Sequence, residues 1–341
     1  MESSVKFFKS RKHKQTIAFL HQGFNYGDHG DVNSRIPSYE EFRNQNFLAI
    51  ICGSKGTVQY NRSVKHYPEL YIGMPALTKE LMYVSEVLLA NDGKGVASPT
   101  GIKLLVKEDG NDIWVFACNA SQIGTKAKFT IPRLNGRKLQ VISEERSIVS
   151  QEDSFDDEFE NYQVHIYTTS NKKSGLKTIE IICNEIAQVN QKRHKSGNLA
   201  FQMFEGSGVK VTASSNMGKN RRDDNGLWHI VDGIFDEAED DHYNTLTWSD
   251  ATPNEYPDWI EIRLPSVKKI SKVIVYPVKE SLKDYEVQAY ISGKWQSVDK
   301  VFNEKARVIT HEFLPIRTDR IRLWITGTNG PTAQITEVEI Y

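Results

Sequence analysis

Two carboxylates close to a predicted strand end are the residues with the most direct capacity for acid–base chemistry. Asp28 and Asp31 lie in the glycine-rich stretch that follows the apolar run at 16–24. Three further residues would line the same rim: His21, Gln22 and Tyr26. Asp, Asn and Gly in one short stretch are also the usual residues of a turn, in which side chains bond their own backbone. We favour the turn and predict no catalytic residue in this chain.

The composition excludes several classes of protein. The chain has 341 residues, with 43 Lys and Arg against 44 Asp and Glu, so its formal net charge is −1. A dedicated nucleic-acid binder usually carries a net positive charge that neutralises phosphates, so no nucleic-acid partner is expected. No apolar run approaches the roughly 18–20 residues that span a bilayer, and no transmembrane segment is predicted. Three widely spaced cysteines exclude a disulfide scaffold and a CxxC metal site: Cys52, Cys118 and Cys183.

Strand and helix periodicities are segregated along the chain, which predicts a multidomain and mainly β protein. Residues 1–97 alternate short strands with helices, as in a parallel α/β unit. Ser38 and Glu41 have the spacing of a capping box at the start of one helix, and Gly53 stands where a left-handed cap would end it. Residues 98–170 alternate with period two and predict a small antiparallel β-sandwich, which we expect to pack on the first segment because so small a sandwich is marginal alone.

The second half of the chain is predicted to be a linker followed by an all-β domain. Residues 171–197 include a basic tetrad at 192–195 that would suit an anion, but the polar composition favours a solvated linker. From 198 to 341 the apolar residues alternate cleanly in several strands, and Gly, Pro and Asn mark the turns. This pattern predicts an eight-stranded jelly roll.

The motifs of the last block resemble the factor V/VIII type C, or discoidin-like, domain. The succession that carries the resemblance is NLA (198–200), VTASS (211–215), VDG (231–233), TW (247–248), DWIEIRL (258–264), DYEVQAYISGKW (284–295) and RIRLWIT (320–326). The bacterial relatives of this domain are the family 32 carbohydrate-binding modules. Animal members often close the sandwich with a disulfide, and the block 198–341 has no cysteine, which favours the bacterial type.

The first two blocks resemble the C-terminal part of a glycoside hydrolase. The stretch 36–61 looks like the late helix and last strand of a (β/α)8 barrel, and the block ending in NYQVHIYTT looks like the sandwich that follows the barrel. A complete barrel needs about 250 residues, so residues 1–97 supply only a TIM-barrel remnant. The resemblance implies a fragment that is inactive alone, because the pair of carboxylates that such an enzyme needs is missing.

The discoidin-like resemblance also implies a structural Ca²⁺ beneath one edge of the jelly roll. Members of the family hold this ion with backbone carbonyls, the Asp of the DG turn, a Thr near the Trp and a Glu on the last strand. The matching residues are Asp232, Thr247 (or Thr245) and Glu337. Ligation by oxygen alone suits a hard cation. The alternative is an Asx-turn at Asp232 and an exposed strand position for Glu337.

The same resemblance implies a sugar site at one end of the jelly roll. Galactose-binding members have a His directly after the Trp and an Arg after the Tyr-Pro strand end, whereas Ser249 and Val278 stand there in this chain. Galactose specificity is therefore not implied. The remaining candidates for the rim are Asp224, Trp228, His229, Tyr256 and Lys279, with Trp228 the best aromatic candidate. Trp248, Trp259 and Trp295 are expected in the core or on the sheet surface.

Three hypotheses follow for the function. The leading one is a non-catalytic, carbohydrate-binding C-terminal region of a glycoside hydrolase-like protein, with a glycan as its partner. The second is a glycoside hydrolase that is active only with the missing barrel portion, supplied by an upstream chain. The third is an adhesion or lipid-surface module that uses Lys219, Arg221 and Arg222 against anionic headgroups. The resemblance implies an extracellular or cell-surface location, although the first 15 residues lack the features of a signal peptide.

Overall fold

The chain divides into two compact units, one formed by residues 1–24 and 36–189 and the other by residues 25–35 and 190–341. The computed structural model describes residues 17–25, 35–61, 64, 67–202, 208–217, 227–235 and 247–341. The protein is mainly β with mostly antiparallel sheets, as predicted. Among the described residues, no helix combines the length and the hydropathy that a membrane crossing requires.

A parallel β–α–β element opens the first unit. Strands β1 (Ala18–Gly23) and β2 (Gly56–Asn61) pair in parallel, and helix α1 (Tyr39–Ile51) lies between them in the sequence. The predicted capping box is present at the start of α1. The Glu41 amide donates to Ser38 Oγ at 3.2 Å, and the Ser38 amide donates to Glu41 Oε2 at 2.8 Å.

The end of α1 and the two helices that follow also obey local signals. Gly53 lies just beyond α1 with a φ of 99°, a left-handed conformation that glycine adopts without a Cβ penalty. Two helices come after β2: α2 (Pro68–Tyr71) and α3 (Gly73–Leu89). The apolar face of α3 is directed inward, since Leu77 and Val84 are buried. These helices supply the apolar layer on which the following sheet packs.

Nine short strands at 91–168, a stretch that is described throughout, form a β-sandwich. They are β3 (Asn91–Asp92), β4 (Val96–Ser98), β5 (Ile102–Asp109), β6 (Asp112–Asn119), β7 (Thr125–Thr130), β8 (Lys138–Val141), β9 (Ser147–Val149), β10 (Ser154–Phe159) and β11 (Val164–Thr168). One sheet has the order β3-β5-β6-β11-β8-β9 and the other the order β10-β7-β4. The sandwich therefore begins at Asn91, a few residues before the predicted start at 98.

The six-stranded sheet is covered on both faces. Phe129, Phe155 and Tyr167 belong to the core between the two sheets. On the opposite face, Phe116 stacks on Phe47 of α1 at 6.3 Å between ring centroids, within one buried apolar cluster. The prediction that the sandwich packs on the first segment is confirmed.

The predicted solvated linker at 171–197 contains a helix, which corrects that prediction. Helix α4 (Ile179–Arg193) buries Ile182 and Ile186 in the same apolar cluster as α1 and α3. These two residues and Ile179 recur at helical spacing, so that one face of α4 is apolar although the segment is polar on average. Residues 171–178 before it have no regular secondary structure.

Seven strands build the jelly roll within the described part of the second unit. They are β12 (Lys210–Ala213), β13 (Trp248–Ser249), β14 (Asp258–Pro277), β15 (Leu282–Ile291), β16 (Lys294–Val301), β17 (Ile309–Thr328) and β18 (Gln334–Ile340). The sheet has the order β13-β18-β14-β17-β15-β16, and β12 also pairs with β14. Eight strands were predicted and seven are described; residues 258–277 form one continuous strand, β14, with a register shift between Arg263 and Lys268.

Alternation along these strands positions the two faces of the sheet. Ile260, Ile262 and Leu264 of β14 are buried, as are the matching residues of β15 and β17. Trp248 is fully buried in the same core, as predicted. The residues between them, including Trp259, point to the outer face and are partly exposed. The inner face of the sheet is therefore occupied by the core, and only its outer face and its loops are accessible to a ligand.

Candidate functional site

Several loops of the second unit meet at one end of the jelly roll, which we call the loop end: segments 214–217, 250–257, 278–282, 302–305 and 328–333. The Asn329 side chain fixes three of them, since its Nδ2 donates to the carbonyls of Glu280, Leu282 and Glu304 at 2.8–3.0 Å. The Asn254 amide donates to the Pro331 carbonyl at 2.8 Å. The loop end is therefore a set of mutually bonded turns.

Two predicted glycan contacts, Tyr256 and Lys279, lie at this loop end. Tyr256 is 42% exposed, and its hydroxyl is hydrogen-bonded to the Thr328 hydroxyl at 2.5 Å. Asn329 follows Thr328 directly. Its side chain donates to the carbonyl of Glu280, the residue after Lys279. Lys279 is exposed and has a left-handed φ of 44°. An exposed aromatic ring beside fixed polar groups is the arrangement that sugar recognition requires.

Trp228 and His229 are buried, which corrects the prediction of a rim position for both. They lie in the 3₁₀ helix Leu227–Val231, are 4% and 2% exposed, and have ring centroids 4.0 Å apart. A ring without an open face cannot stack on a sugar. Asp224, the remaining predicted contact, lies outside the described residues, as do Lys219, Arg221 and Arg222.

The predicted cation ligands Asp232 and Glu337 are close together and buried. Asp232 Oδ1 accepts from the Ile234 amide at 2.8 Å and its Oδ2 lies 3.0 Å from His229 Nδ1. Glu337 Oε2 accepts from the Gly233 amide at 3.0 Å. The alternative of an exposed strand position for Glu337 is thus wrong, since this residue is fully buried. Thr247 is partly buried directly before β13, and continuing the pairing of β13 with β18 by one residue would place it opposite Thr336, next to Glu337.

Of the two carboxylates, Glu337 is the one with an unsatisfied oxygen. Burial and the neighbouring Asp232 raise the pKa of Glu337 well above its ordinary value. Within the described structure, Glu337 Oε1 is buried and has no hydrogen-bond partner. No group of three or more His, Cys, Asp and Glu side chains suited to a metal occurs among the described residues. An oxygen-binding cation that takes its other ligands from backbone carbonyls and a hydroxyl fits this donor set.

Sequence reasoning missed a second carboxylate pair, Asp250 and Asp258, at the loop end. Burial and the charge of Asp250 raise the pKa of Asp258 to about 6. Asp250 accepts from the hydroxyl of Ser215 and from the Thr252 hydroxyl, the latter at 2.9 Å. The signal available in the sequence was the position of Asp258 at the first residue of a strand that is otherwise apolar on its inner face.

Of the rim residues predicted near β1, His21 and Gln22 are described, and their hydrogen-bond partners are not carboxylates. His21 is buried, and its Nε2 lies 3.0 Å from Asn46 Nδ2. Burial lowers its pKa. Gln22 Nε2 donates to the Phe24 carbonyl at 2.7 Å. Tyr26, Asp28 and Asp31 lie outside the described residues, so the prediction of a turn there remains a prediction.

A cavity of about 430 Å³ in the first unit has a polar floor. Glu80 and Ser143 line it, and Glu80 forms a bidentate ion pair with the buried Arg43 at 2.8 and 2.9 Å. Ser143 Oγ donates to the same carboxylate at 2.8 Å. Since these polar groups are already paired, we assign no ligand to the cavity.

Comparison with known proteins identifies the class of the second unit. Residues 210–338 match the family model of the F5/8 type C domain, so the C-terminal module is a discoidin-like domain, as predicted. The chain has no match among curated proteins.

Three solved structures illustrate the structural likeness. Chitosan-binding module 1 of a chitosanase/glucanase from Paenibacillus sp. IK-5 is 20% identical, with coverage of 43% of this chain and 99% of that one and a TM-score of 0.34. The family 32 module of Clostridium perfringens NanJ, in complex with galactose, is 19% identical, with coverage of 39% and 92% and a TM-score of 0.32. A family 89 glycoside hydrolase from Clostridium perfringens is 22% identical, with coverage of 39% and 14% and a TM-score of 0.31. At these values the likenesses assign no activity to this chain.

Proposed function

We propose that the second unit binds glycans at its loop end through shallow, mostly stacking contacts. The observation that carries this proposal is the exposed ring of Tyr256, whose hydroxyl is held by the Thr328 hydroxyl at the loop end. The discoidin-like identity of residues 210–338 supports it. A single aromatic platform gives a small apolar contact, so we expect a weak dissociation constant, on the order of 0.1–1 mM, or about −4 to −5.5 kcal/mol.

A glycan array followed by NMR titration of the whole chain tests this proposal. The Tyr256→Ala variant is expected to lose at least about tenfold in affinity for any neutral glycan that binds, which is about 1.4 kcal/mol. Tyr71→Ala is the matched control, because Tyr71 is 37% exposed and belongs to the first unit. Absence of binding to all neutral and acidic sugars, or equal loss in both variants, would contradict the loop-end site.

We further propose that Asp232 and Glu337 hold a structural cation, with Ca²⁺ as the candidate. The cation would supply positive charge to two buried carboxylates and fix the DG turn against β18. The unpartnered Glu337 Oε1 supports this assignment. Thr247 would contribute its hydroxyl.

We place this glycan-binding unit in a non-catalytic accessory role, as the C-terminal region of a carbohydrate-active enzyme. The support is the succession of a parallel β–α–β element, a β-sandwich and a discoidin-like module along one chain. An extracellular or cell-surface location follows from this role.

A second candidate function, a glycoside hydrolase completed by further β/α units, is favoured by one observation on β1 and β2. Leu20, Val58 and Tyr60 are 58%, 54% and 47% exposed on this two-stranded parallel sheet. Parallel strands occur almost only in larger sheets that are covered on both faces. A polypeptide that supplies such units should bind the chain and Val58→Lys should prevent it; binding that survives Val58→Lys would remove this candidate.

A further inference from the structure

The outer face of the jelly-roll sheet carries a track of aromatic rings and guanidinium groups. Alternation places Trp324, Arg322 and Arg320 of β17 on the outer face, opposite the buried Leu323 and Ile321. Tyr290 of β15 and Trp295 of β16 stand beside them, as their pairing in the sheet requires. All five side chains of the track named here are partly exposed.

Arg322 is held between two indole rings at the centre of this track. Its Cζ atom lies 4.2 Å from the centroid of Trp295 and 4.5 Å from that of Trp324. Tyr290 contacts Trp295 edge-on at 5.3 Å, and Arg320 Cζ lies 4.9 Å from the Tyr290 ring. Stacking holds each guanidinium plane in place before any partner arrives, so little rotamer entropy remains to be lost on binding.

The charge of Arg322 is only partly compensated, because Glu261 lies opposite it in register on β14 but is not hydrogen-bonded to it. Nε and Nη2 of Arg322 both donate to Gln288 Oε1, a neutral amide, at 3.1 and 2.6 Å. Burial lowers the pKa of this guanidinium, an effect that the charge of Glu261 opposes. By contrast, Lys300 pairs with Glu286 at 2.6 Å on the neighbouring strands. The centre of the track is therefore a partly desolvated cation without a carboxylate bonded to it.

Arg320 adds a second incompletely satisfied guanidinium. In the described part of the chain, its buried Nε has no hydrogen-bond partner. Its Nη1 approaches Glu261 Oε1 only to 3.8 Å, which is beyond hydrogen-bond distance. Two guanidinium groups at alternate positions of one strand, both short of acceptors, are complementary to an anionic group that brings planar oxygen acceptors.

The track reaches the loop end through Trp259. This residue faces Trp324 across β14 and β17, and its backbone exchanges hydrogen bonds with Ser214 of the loop end. The Trp259 side chain is partly exposed on the outer face, as is that of Trp324. From Trp324 to Arg320 the track extends about 13 Å along the strand.

We propose that this face binds a carboxylate-bearing glycan, with the carboxylate on Arg322 and Arg320 and a sugar ring on the Trp259 and Trp324 surface. The site is separate from the loop-end contact at Tyr256 and does not rest on it. Charge complementarity selects the ligand: aromatic faces alone would suit a neutral sugar, whereas two under-compensated guanidinium groups favour a uronate. An acidic protein surface is the competing partner that the test distinguishes.

Isothermal titration of the whole chain with a β-1,4-linked glucuronate hexasaccharide tests this proposal, with cellohexaose as the ligand that differs only in lacking the carboxylates. We expect the uronate to bind at least about tenfold more tightly, and more weakly as salt is raised. Arg322→Gln and Arg320→Gln should each reduce uronate binding about tenfold. Arg317→Gln, on the same strand and exposed without an aromatic contact, should change it less than about twofold.

The variants separate the proposal from structural roles of the same residues. Arg322→Lys keeps the charge but loses the planar fork, so it should bind as weakly as Arg322→Gln. Arg320→Gln removes a group whose Nε is unpartnered, and it should unfold at the temperature of the wild type. Equal affinity for uronate and cellohexaose, or for uronate and a poly-glutamate peptide, would overturn the proposal. Tyr256→Ala should leave uronate binding unchanged, so failure of the loop-end site and failure of this one are distinguishable.

Discussion

Two largely buried carboxylates of the first unit, Glu144 and Asp157, have a guanidinium partner, whereas Glu337 and Asp258 of the second unit have none among the described residues. In the β-sandwich, Arg146 donates to both oxygens of Asp157 at 3.0 and 2.7 Å and to Glu144 at 2.7 Å. Burial by itself would raise the pKa of Glu144, but hydrogen bonds and charges from His165 and Arg146 outweigh it and lower the pKa. Asp157 behaves alike, with Arg146 and Tyr167 as its donors.

Two buried carboxylates of the second unit have different surroundings. Glu337 and Asp258 have raised pKa values because burial and a neighbouring carboxylate act together, with no guanidinium to oppose them. One guanidinium group of this unit, that of Arg322, instead lies between two aromatic rings. A carboxylate with a guanidinium partner is complete within the fold. One without such a partner needs a proton or a cation to become neutral.

The largest effect on the free energy of unfolding is expected when a buried carboxylate of the first unit loses its guanidinium partner. Arg43→Met leaves Glu80 buried and unpaired, since both groups of this ion pair are 2% exposed, and should destabilise the first unit by about 3–5 kcal/mol. Replacing both partners, as Arg43→Met with Glu80→Leu, should recover most of this loss. Urea unfolding followed by far-ultraviolet circular dichroism measures it, because α1 and α3 belong to this unit.

Lys177→Gln is the control for this prediction. It breaks an exposed ion pair with Glu185, whose side chains are 59% and 39% exposed, and should cost less than about 1 kcal/mol. If the double variant were as unstable as Arg43→Met alone, packing of the arginine rather than charge compensation would explain the loss.

An intermediate effect on stability is expected when Ca²⁺ is added to the second unit. Free Ca²⁺ at about 100 times its dissociation constant should stabilise this unit by about 2.7 kcal/mol, and a chelator should reverse the gain. Tryptophan fluorescence reports it, because five of the six tryptophans lie in this unit: Trp228, Trp248, Trp259, Trp295 and Trp324.

Glu337→Gln sharpens the calcium prediction. The variant removes one buried negative charge, so it should be at least as stable as the wild type without calcium and should no longer respond to the ion. Glu339→Gln is the matched control, because Glu339 is a neighbouring buried glutamate that is already paired with Lys195 at 2.6 Å. A Glu337→Gln protein that still gains stability from Ca²⁺ would refute the assignment of this ligand.

The smallest effect is expected from pH, and its sign differs between the two units. The lowered pKa values of Glu144 and Asp157 give the first unit stability that is present above about pH 4 and lost as the pH falls through the folded values. Asp258 has its pKa raised to about 6, so its contribution is present below about pH 4 and is lost as the pH rises to 6.

Asp258→Asn isolates the second of these contributions. The variant should gain stability relative to the wild type as the pH rises from 4 to 7, measured by tryptophan fluorescence in urea. Asp319→Asn, a surface aspartate paired with Arg263 in the same unit, should not. A difference between Asp258→Asn and wild type that stays constant over this range would count against the raised pKa.

The sequence was most informative where the signals are local. The capping box of Ser38 and Glu41 needs only residues three positions apart, and the structure contains both of its hydrogen bonds. The discoidin-like motifs likewise identify their module because they recur in order along the chain. Alternation in β14 and β15 correctly separated inward from outward residues.

Features that depend on distant parts of the chain were not predicted. Trp228 stands beside a glycine in a polar stretch, and its burial results from packing that local sequence does not encode. Asp250 and Asp258 interact because a loop returns to the strand it left, which spacing alone does not reveal. Helix α4 was hidden by its polar average, although Ile179, Ile182 and Ile186 carried the helical period.

Strand β14 has a mechanical consequence for the second unit. It pairs with β12, β17 and β18 along its 20 residues. Pulling it out would break the hydrogen bonds to all three neighbours at once, whereas the edge strands β13 and β16 each pair with one strand and could separate alone. Under load, the unit would therefore resist most where the force reaches β14.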